Sequence, residues 1–297
     1  MNPNKITIQQ LCDLGHTRVL GYRGQLMVSD HIAQEYLFEE PCRIDAVLIL
    51  FCLRGRLEYI VNLEHNVVTE PSILVNMPEN IIQLKGSENI EAYSVLISTD
   101  LLNSMPYDIR QTDNALRSAK HHFSAAVPLD QLAPLIPYYK LIKYSLQSTG
   151  PETDDIVRSL LLAFLLSIMR LMREHQVKEI DADRAGSRSG RQLFERFMEA
   201  LNHHHQQERQ VQFYADKLCI TPKYLSMAIK EYSGKSPSDW ICDYVIAEAK
   251  SLLHYSRLSV QEVSYHLNFP SQSAFGKFFK QKTGMSPSQY LKEMKQE

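Results

Sequence analysis

The chain has no CxxC motif and no regular cysteine spacing. Its five cysteines, Cys12, Cys42, Cys52, Cys219 and Cys242, are odd in number and scattered. That pattern argues against a disulfide framework and for reduced thiols in the cytoplasm. An apolar leader is also missing: Met1-Asn2-Pro3-Asn4-Lys5 runs into polar residues, so no signal peptide is expected. The longest apolar run, from Leu160 to Met169, holds only about ten residues between Arg158 and Arg170. A membrane-spanning helix needs roughly 20, so no membrane partner is expected. Metal-ligand spacing is absent too. His31 and His65 lack the H-x-H pair and later histidine that a strand-borne metal site would use. The run His203-His204-His205 points its rings in different directions on a helix and chelates poorly, so it reads as an exposed helix end. No metal and no cofactor is therefore expected.

The formal net charge of −2 is small, but its two parts differ in sign. Residues 191–297 carry 14 Lys+Arg and 11 Asp+Glu, a net of +3, and residues 1–190 carry a net of −5. A sign change of this kind marks parts with different partners. At 297 residues the chain is long enough for two domains, and a hydrophobic content of 44% is that of a soluble globular protein.

From about residue 26 to 99 the chain reads as short strands: 46–51, 57–63, 72–75, 81–84 and 90–97. They are rich in β-branched and aromatic residues and are punctuated by Arg54-Gly55, Glu64 to Asn66, Pro71, Pro78 to Asn80 and Gly86-Ser87. This spacing favours a sandwich or barrel. Residues 129–146 look helical, with the regular helix confined to the part after Pro137. Thr153-Asp154-Asp155 starts another helix whose apolar stripe, from Ile156 to Met172, is too wide for one buried face. Leu161, Leu165 and Ile168 are its candidate dimerisation residues. The small, charged, glycine-containing residues around 181–190 form the expected linker. The domain plan is a sensing and dimerising part over 1–180, with a β-barrel over about 20–100 and helices over about 129–178, then the linker, then 191–297. The fold class is α+β multidomain.

The end of the chain contains one segment twice. Residues 229–241 reappear as 279–291, offset by 50 positions. Each copy reads as a helix-turn-helix. In the first, residues 211–218 form a short helix, Cys219-Ile220 turn the chain, and Thr221 caps a second helix with Pro222 at its first turn. Tyr224, Leu225, Ala228 and Ile229 are its expected inner face. In the second copy Ser259 and Glu262 form a capping box, Asn268 to Pro270 make the turn, and Ser271 caps a helix with Phe275, Phe278 and Phe279 inward. Such turns want a left-handed residue. Asn268 tolerates this, whereas Cys219 is a poorer choice, so the first turn is expected to be strained or differently shaped. Between the copies, residues 237–255 read as one helix that sets the spacing of the two second helices. About 34 Å would place them in successive major grooves.

These residues resemble the AraC-type transcription regulators. The resemblance rests on Ala215…Leu218…Thr221-Pro222-x-Tyr224-Leu225-Ser226, Gly234-x-Ser236-Pro237 and Ala249-Lys250-x-Leu252-Leu253. It continues with Leu258-Ser259-Val260-x-Glu262-Val263…Leu267-x-Phe269…Ser273-x-Phe275…Phe279-Lys280…Thr283-Gly284-x-Ser286-Pro287-x-x-Tyr290. It covers about Val211 to Leu291 and is much weaker over the first 180 residues. It implies a seven-helix DNA-binding domain starting with a helix near 191–202, preceded by a cupin-like β-barrel. Matched by position, it implies base contacts from Lys223, Ser226 and Met227 in the first module and from Gln272, Ser273 and Lys277 in the second. Gln suits adenine, Lys guanine, and an apolar group the thymine methyl. Phosphate contacts are expected at Thr221, Lys230, Ser271 and Lys280. The chain departs from the pattern at Val245 and Leu291, where arginine is common, and at Met227, where a polar reader is common.

The implied partners are double-stranded DNA, RNA polymerase, a small-molecule effector and a second copy of the chain. Nothing is expected to be catalysed. Two other readings stay open: an N-terminal part that is only a dimerisation scaffold, and a cupin-type enzyme fused to a DNA-binding module.

Overall fold

The computed structural model describes residues 6–14, 19–30, 40–69, 71–78, 80–105, 122–148, 150–182, 188–256 and 258–294. These fall into two compact units: the described parts of Ile6–Glu39 and Ile44–Ala185, and Glu40–Arg43 with the described part of Gly186–Glu297.

The first unit opens with α1 (Ile8–Leu14), β1 (Val19–Tyr22) and β2 (Leu26–Ser29). After β3 (Cys42–Arg43), which belongs to the other unit, come β4 (Ala46–Val61), β5 (Glu64–Val68), β6 (Ser72–Asn76) and β7 (Ile81–Ser98). A short α2 (Thr99–Asn103), β8 (His122–Ala126) and helices α3 (Leu129–Leu132), α4 (Leu135–Leu146) and α5 (Thr153–Ala182) complete it. The sheet is antiparallel in the order β1-β2-β7-β4-β6-β8, with β5 paired to the second half of β4.

Strands β4 and β7 are longer than the sequence pattern implies. Arg54-Gly55 and Gly86-Ser87, expected to be turns, lie inside them, and the ladder runs from Ala46↔Ser98 to Val61↔Ile82. The register shifts between Cys52 and Arg54 and again between Arg54 and Arg56. A bulge absorbs an extra residue and bends the strand without ending it. Gly55 has φ +94°, and a Cβ there would stand 2.5 Å from the Asn89 carbonyl oxygen, so only glycine fits. The turn after β4 is Asn62-Leu63, both left-handed at φ 50° and 69°, earlier than the expected Glu64 to Asn66.

Residues 46–52 are buried on both faces, which explains why they are apolar without alternation. One face carries Val47, Ile49 and Phe51 together with Ile73, Val75, Val95 and Ile97. Tyr139 and Ile142 from α4 and Val157, Phe164 and Met172 from α5 pack on it. The same core takes Leu161, Leu165 and Ile168. The three expected dimerisation residues are therefore core residues; among the described residues of α5, Ile156 and Leu166 are the exposed large apolar groups. Helix α4 begins before Pro137, not after it. The proline sits in the first turn, where its missing N–H costs nothing.

The second unit contains, among the described residues, seven helices: α6 (Arg188–His204), α7 (Val211–Lys217), α8 (Pro222–Ser233), α9 (Pro237–Tyr255), α10 (Val260–His266), α11 (Gln272–Thr283) and α12 (Pro287–Met294). The expected linker 181–190 is helical at both ends, through Ala182 and from Arg188; its middle, 183–187, lies outside the described residues, as does His31. Phe194 and Phe197 of α6 meet Trp240 and Tyr214 edge-on. Val245, Leu252 and Leu253 of α9 join Val263, Phe275, Phe279 and Tyr290 in a second core. Val245 is thus a packing residue here.

Candidate nucleic-acid interface

Both modules are built alike from local chemistry. Thr221 Oγ1 accepts from the Tyr224 N–H at 3.2 Å, and Ser271 Oγ accepts from the Ala274 N–H at 3.1 Å. Each hydroxyl meets one of the unpaired amides at a helix start. Gly234 at φ 75° and Gly284 at φ 86° end the two helices in the left-handed conformation. The turns match as well. Cys219 has φ 58° and Asn268 φ 53°; the Ile220 N–H reaches the Ala215 carbonyl at 3.0 Å, and the Phe269 N–H reaches the Ser264 carbonyl at 2.9 Å. The first turn therefore has the same shape as the second, and the strain falls on Cys219. The capping box is complete, with the Ser259 N–H on the Glu262 carboxylate at 2.7 Å.

Leu225 and Ile229 anchor α8, and Phe275 and Phe279 anchor α11, so the opposite faces turn to solvent. On α8 that face carries Lys223, Met227 and Lys230, with Ser226 partly covered. On α11 it carries Gln272, Ser273, Lys277 and Lys280, all exposed, around Gly276. Thr221 and Ser271 stand exposed at the two helix starts. A Cβ at Gly276 would touch nothing within 4 Å, so the face is open there. Met227 is 58% exposed, an unusual place for an apolar thioether. One assignment changes: Tyr224, expected inward, is 44% exposed and lies beside Lys223. Its i, i+3 relation to Met227 is the signal that places it on the outer face.

Three features inside this unit were not legible as site residues. His205 is buried, not part of an exposed helix end. Its Nδ1–H donates to the Leu201 carbonyl at 3.0 Å, and Nε2 faces Glu248 at 3.5 Å. Glu248 itself is a fully buried carboxylate on α9. Arg209, ahead of α7, reaches across to the second module. Among the described residues no group of three His, Cys, Asp or Glu is placed to hold a metal ion, and His65 is exposed on β5. No helix of the described residues is long and apolar enough to cross a membrane.

A family model described as a helix-turn-helix domain matches residues 214–293. The arabinose operon regulatory protein of Escherichia coli is 34% identical over 76 residues, 26% of this chain and 26% of that protein. An uncharacterised helix-turn-helix regulator of the same organism, YidL, is 32% identical over 148 residues, 50% of this chain and 48% of that protein. The chain thus matches about a quarter to a half of the length of these curated relatives. Among solved structures, fatty-acid-bound ToxT of Vibrio cholerae covers 86% of this chain and 89% of its own at 17% identity and a TM-score of 0.42. The DNA-binding domain of AdpA with target DNA covers 34% and 90% at 28% identity and a TM-score of 0.31. The C-terminal unit of this chain carries a helix-turn-helix domain of the AraC type, spanning residues 214–293.

Proposed function

We propose that the chain is a transcription regulator that binds double-stranded DNA sequence-specifically through both modules, and that it is not an enzyme. The observation that carries this reading is one geometry built twice. Two capped helices with left-handed entry turns present lysine, glutamine and serine side chains on open faces. Gln272 and Lys277 suit base edges, whereas Lys230, Lys280 and the amides at Thr221 and Ser271 suit phosphates. The first unit acts as the effector-responsive and dimerising part, with a small molecule, a second copy and RNA polymerase as partners in the cytoplasm. A pure scaffold is the second reading. The dense aliphatic and aromatic packing between sheet and helices favours it.

The test is a randomised-site selection with the full chain, followed by titration of the selected duplex at several salt concentrations. Affinity should fall steeply with salt because phosphate contacts release counterions. No binding at low salt removes the reading. Repeating the selection with pooled metabolites separates sensor from scaffold.

A further inference from the structure

Arg209 stands two residues before α7 of the first module, and Asn268 is the turn residue of the second. The Arg209 guanidinium carbon lies 3.9 Å from the centroid of the Phe269 ring, and Nη1 donates to the Asn268 carbonyl oxygen at 3.0 Å. Asn268 answers in the other direction: its Nδ2 donates to the Gln207 carbonyl oxygen at 2.9 Å. At the left-handed Asn268, one residue thus meets the segment 207–209 twice, through its carbonyl at Arg209 and through its side-chain amide at Gln207. We propose that Arg209, Asn268 and Phe269 form a clamp that fixes the two helix-turn-helix modules in one relative arrangement, so that they read DNA as a single rigid unit.

The chain otherwise joins the modules through α9. Two bodies joined at one place can pivot, and a small rotation at the helix end becomes a large displacement at a recognition helix. A second attachment, far from the first in sequence, removes that freedom. The chemistry of Arg209 favours positioning over stability. Its Nε and Nη2 are buried and make no hydrogen bond among the described residues. Unmet buried donors are unfavourable, so an apolar side chain of similar length would hold the fold at least as well. Only a planar cation can both cover an aromatic face and donate in its own plane to a carbonyl.

The inference rests on the proposed DNA-binding reading for its consequence, but its first test needs no DNA. Glu231 and Gln281 occupy equivalent exposed positions near the ends of α8 and α11. Spin labels carried there on a non-canonical side chain, in the full chain with its native thiols, report the distance between modules. A narrow distribution is expected for the parent and a broadened one for Arg209→Met, with the melting temperature retained. An equally narrow distribution in Arg209→Met overturns the clamp. If Arg209→Met does not fold, Asn268→Gly, which keeps the left-handed backbone and removes only the amide donor, carries the same test. Unlabelled proteins are then titrated against a selected two-box operator and against versions one base pair longer and shorter. Arg209→Met should lose about tenfold of the preference for the native spacing, the value of one charge-assisted hydrogen bond, while affinity for a single box is unchanged. Unaltered spacing preference in the variant also overturns the proposal. A broadened distance in a chain that binds no duplex leaves the clamp standing and removes the DNA-binding reading.

Discussion

Arg43 Nε lies 2.8 Å from Glu248 Oε2, and both side chains are buried although 205 positions separate them in the chain. Arg43 Nη2 also donates to Asn202 Oδ1 at 2.8 Å, and Gln206 Nε2 donates to Glu248 Oε1 at 3.1 Å. Residues 40–43 therefore belong to the compact unit that holds the helix-turn-helix modules. The domain plan read from the sequence assigns them to the N-terminal part. An internal core of charge explains the difference: a buried carboxylate on α9 has to find a cation wherever the chain can bring one.

Arg43→Ala in the full chain leaves Glu248 buried without its partner and should cost about 3–5 kcal/mol in urea unfolding, whereas Arg43→Met with Glu248→Met should cost far less. The pH dependence gives the sign. Burial opposes the Glu248 carboxylate, but Arg43 and His205 outweigh it, and the pKa falls below the ordinary value near 4.5. The group's stabilising contribution is therefore complete above that value and is lost as pH falls through and below it. Without Arg43 the largest interaction opposing burial is lost and His205 is left to favour the carboxylate, so burial pushes the pKa upward and ionisation stabilises the fold less as pH rises. The stability gap between parent and Arg43→Ala should be widest near neutrality and close in acid. A gap that is constant with pH would show that the ion pair contributes nothing.

The recognition helices separate specificity from affinity. Gln272→Ala and Lys277→Ala should each lose about 1–3 kcal/mol and relax base preference at one position. Lys280→Ala should weaken binding to all sequences alike. Randomised-site selection on each variant decides it. An altered base preference in Lys280→Ala with none in Lys277→Ala would reverse the assigned facing of α11.

Cys219 is exposed and held at φ 58°. A left-handed conformation costs a side-chain-bearing residue about 1–2 kcal/mol. Cys219→Gly or Cys219→Asn should therefore raise stability, by about 0.5–1 kcal/mol after the entropy of glycine is included. Thermal unfolding measures this, and a destabilised Cys219→Asn would mean that the thiol packs against something the turn needs.

On α5, Leu161 and Leu166 should behave oppositely. Leu161 is fully buried in the unit's core, so Leu161→Lys places an unpaired charge there and should unfold it. Leu166 is 40% exposed, so Leu166→Lys should leave stability within about 0.5 kcal/mol. If a second copy covers this side of α5, Leu166→Lys converts a dimer into a folded monomer in sedimentation. A parent chain that is monomeric at tens of micromolar removes that role for α5.

Local signals determined most of the C-terminal unit. Thr221, Ser259 and Ser271 cap helices, Gly234 and Gly284 end them, and leucine, isoleucine and phenylalanine at helical spacing mark the buried faces, because each effect acts within one or two turns of chain. The outward positions of the readers follow from the same periodicity. What needed the tertiary structure was everything set by distant partners. Gly55 and Gly86 punctuate the sequence like turns, yet lie inside continuous strands because neighbouring strands hold the ladder across a bulge. The wide apolar stripe of α5 could have been a dimer face, but Leu161, Leu165 and Ile168 lie in the core that the unit's sheet and helices share. His205 could have been a frayed helix end, but Glu248 and Asn202 enclose it. Arg43 and Arg209 carry no local mark at all. Their partners lie 205 and 59 residues away, and only folding brings a cation to a buried carboxylate or to a turn in the other module.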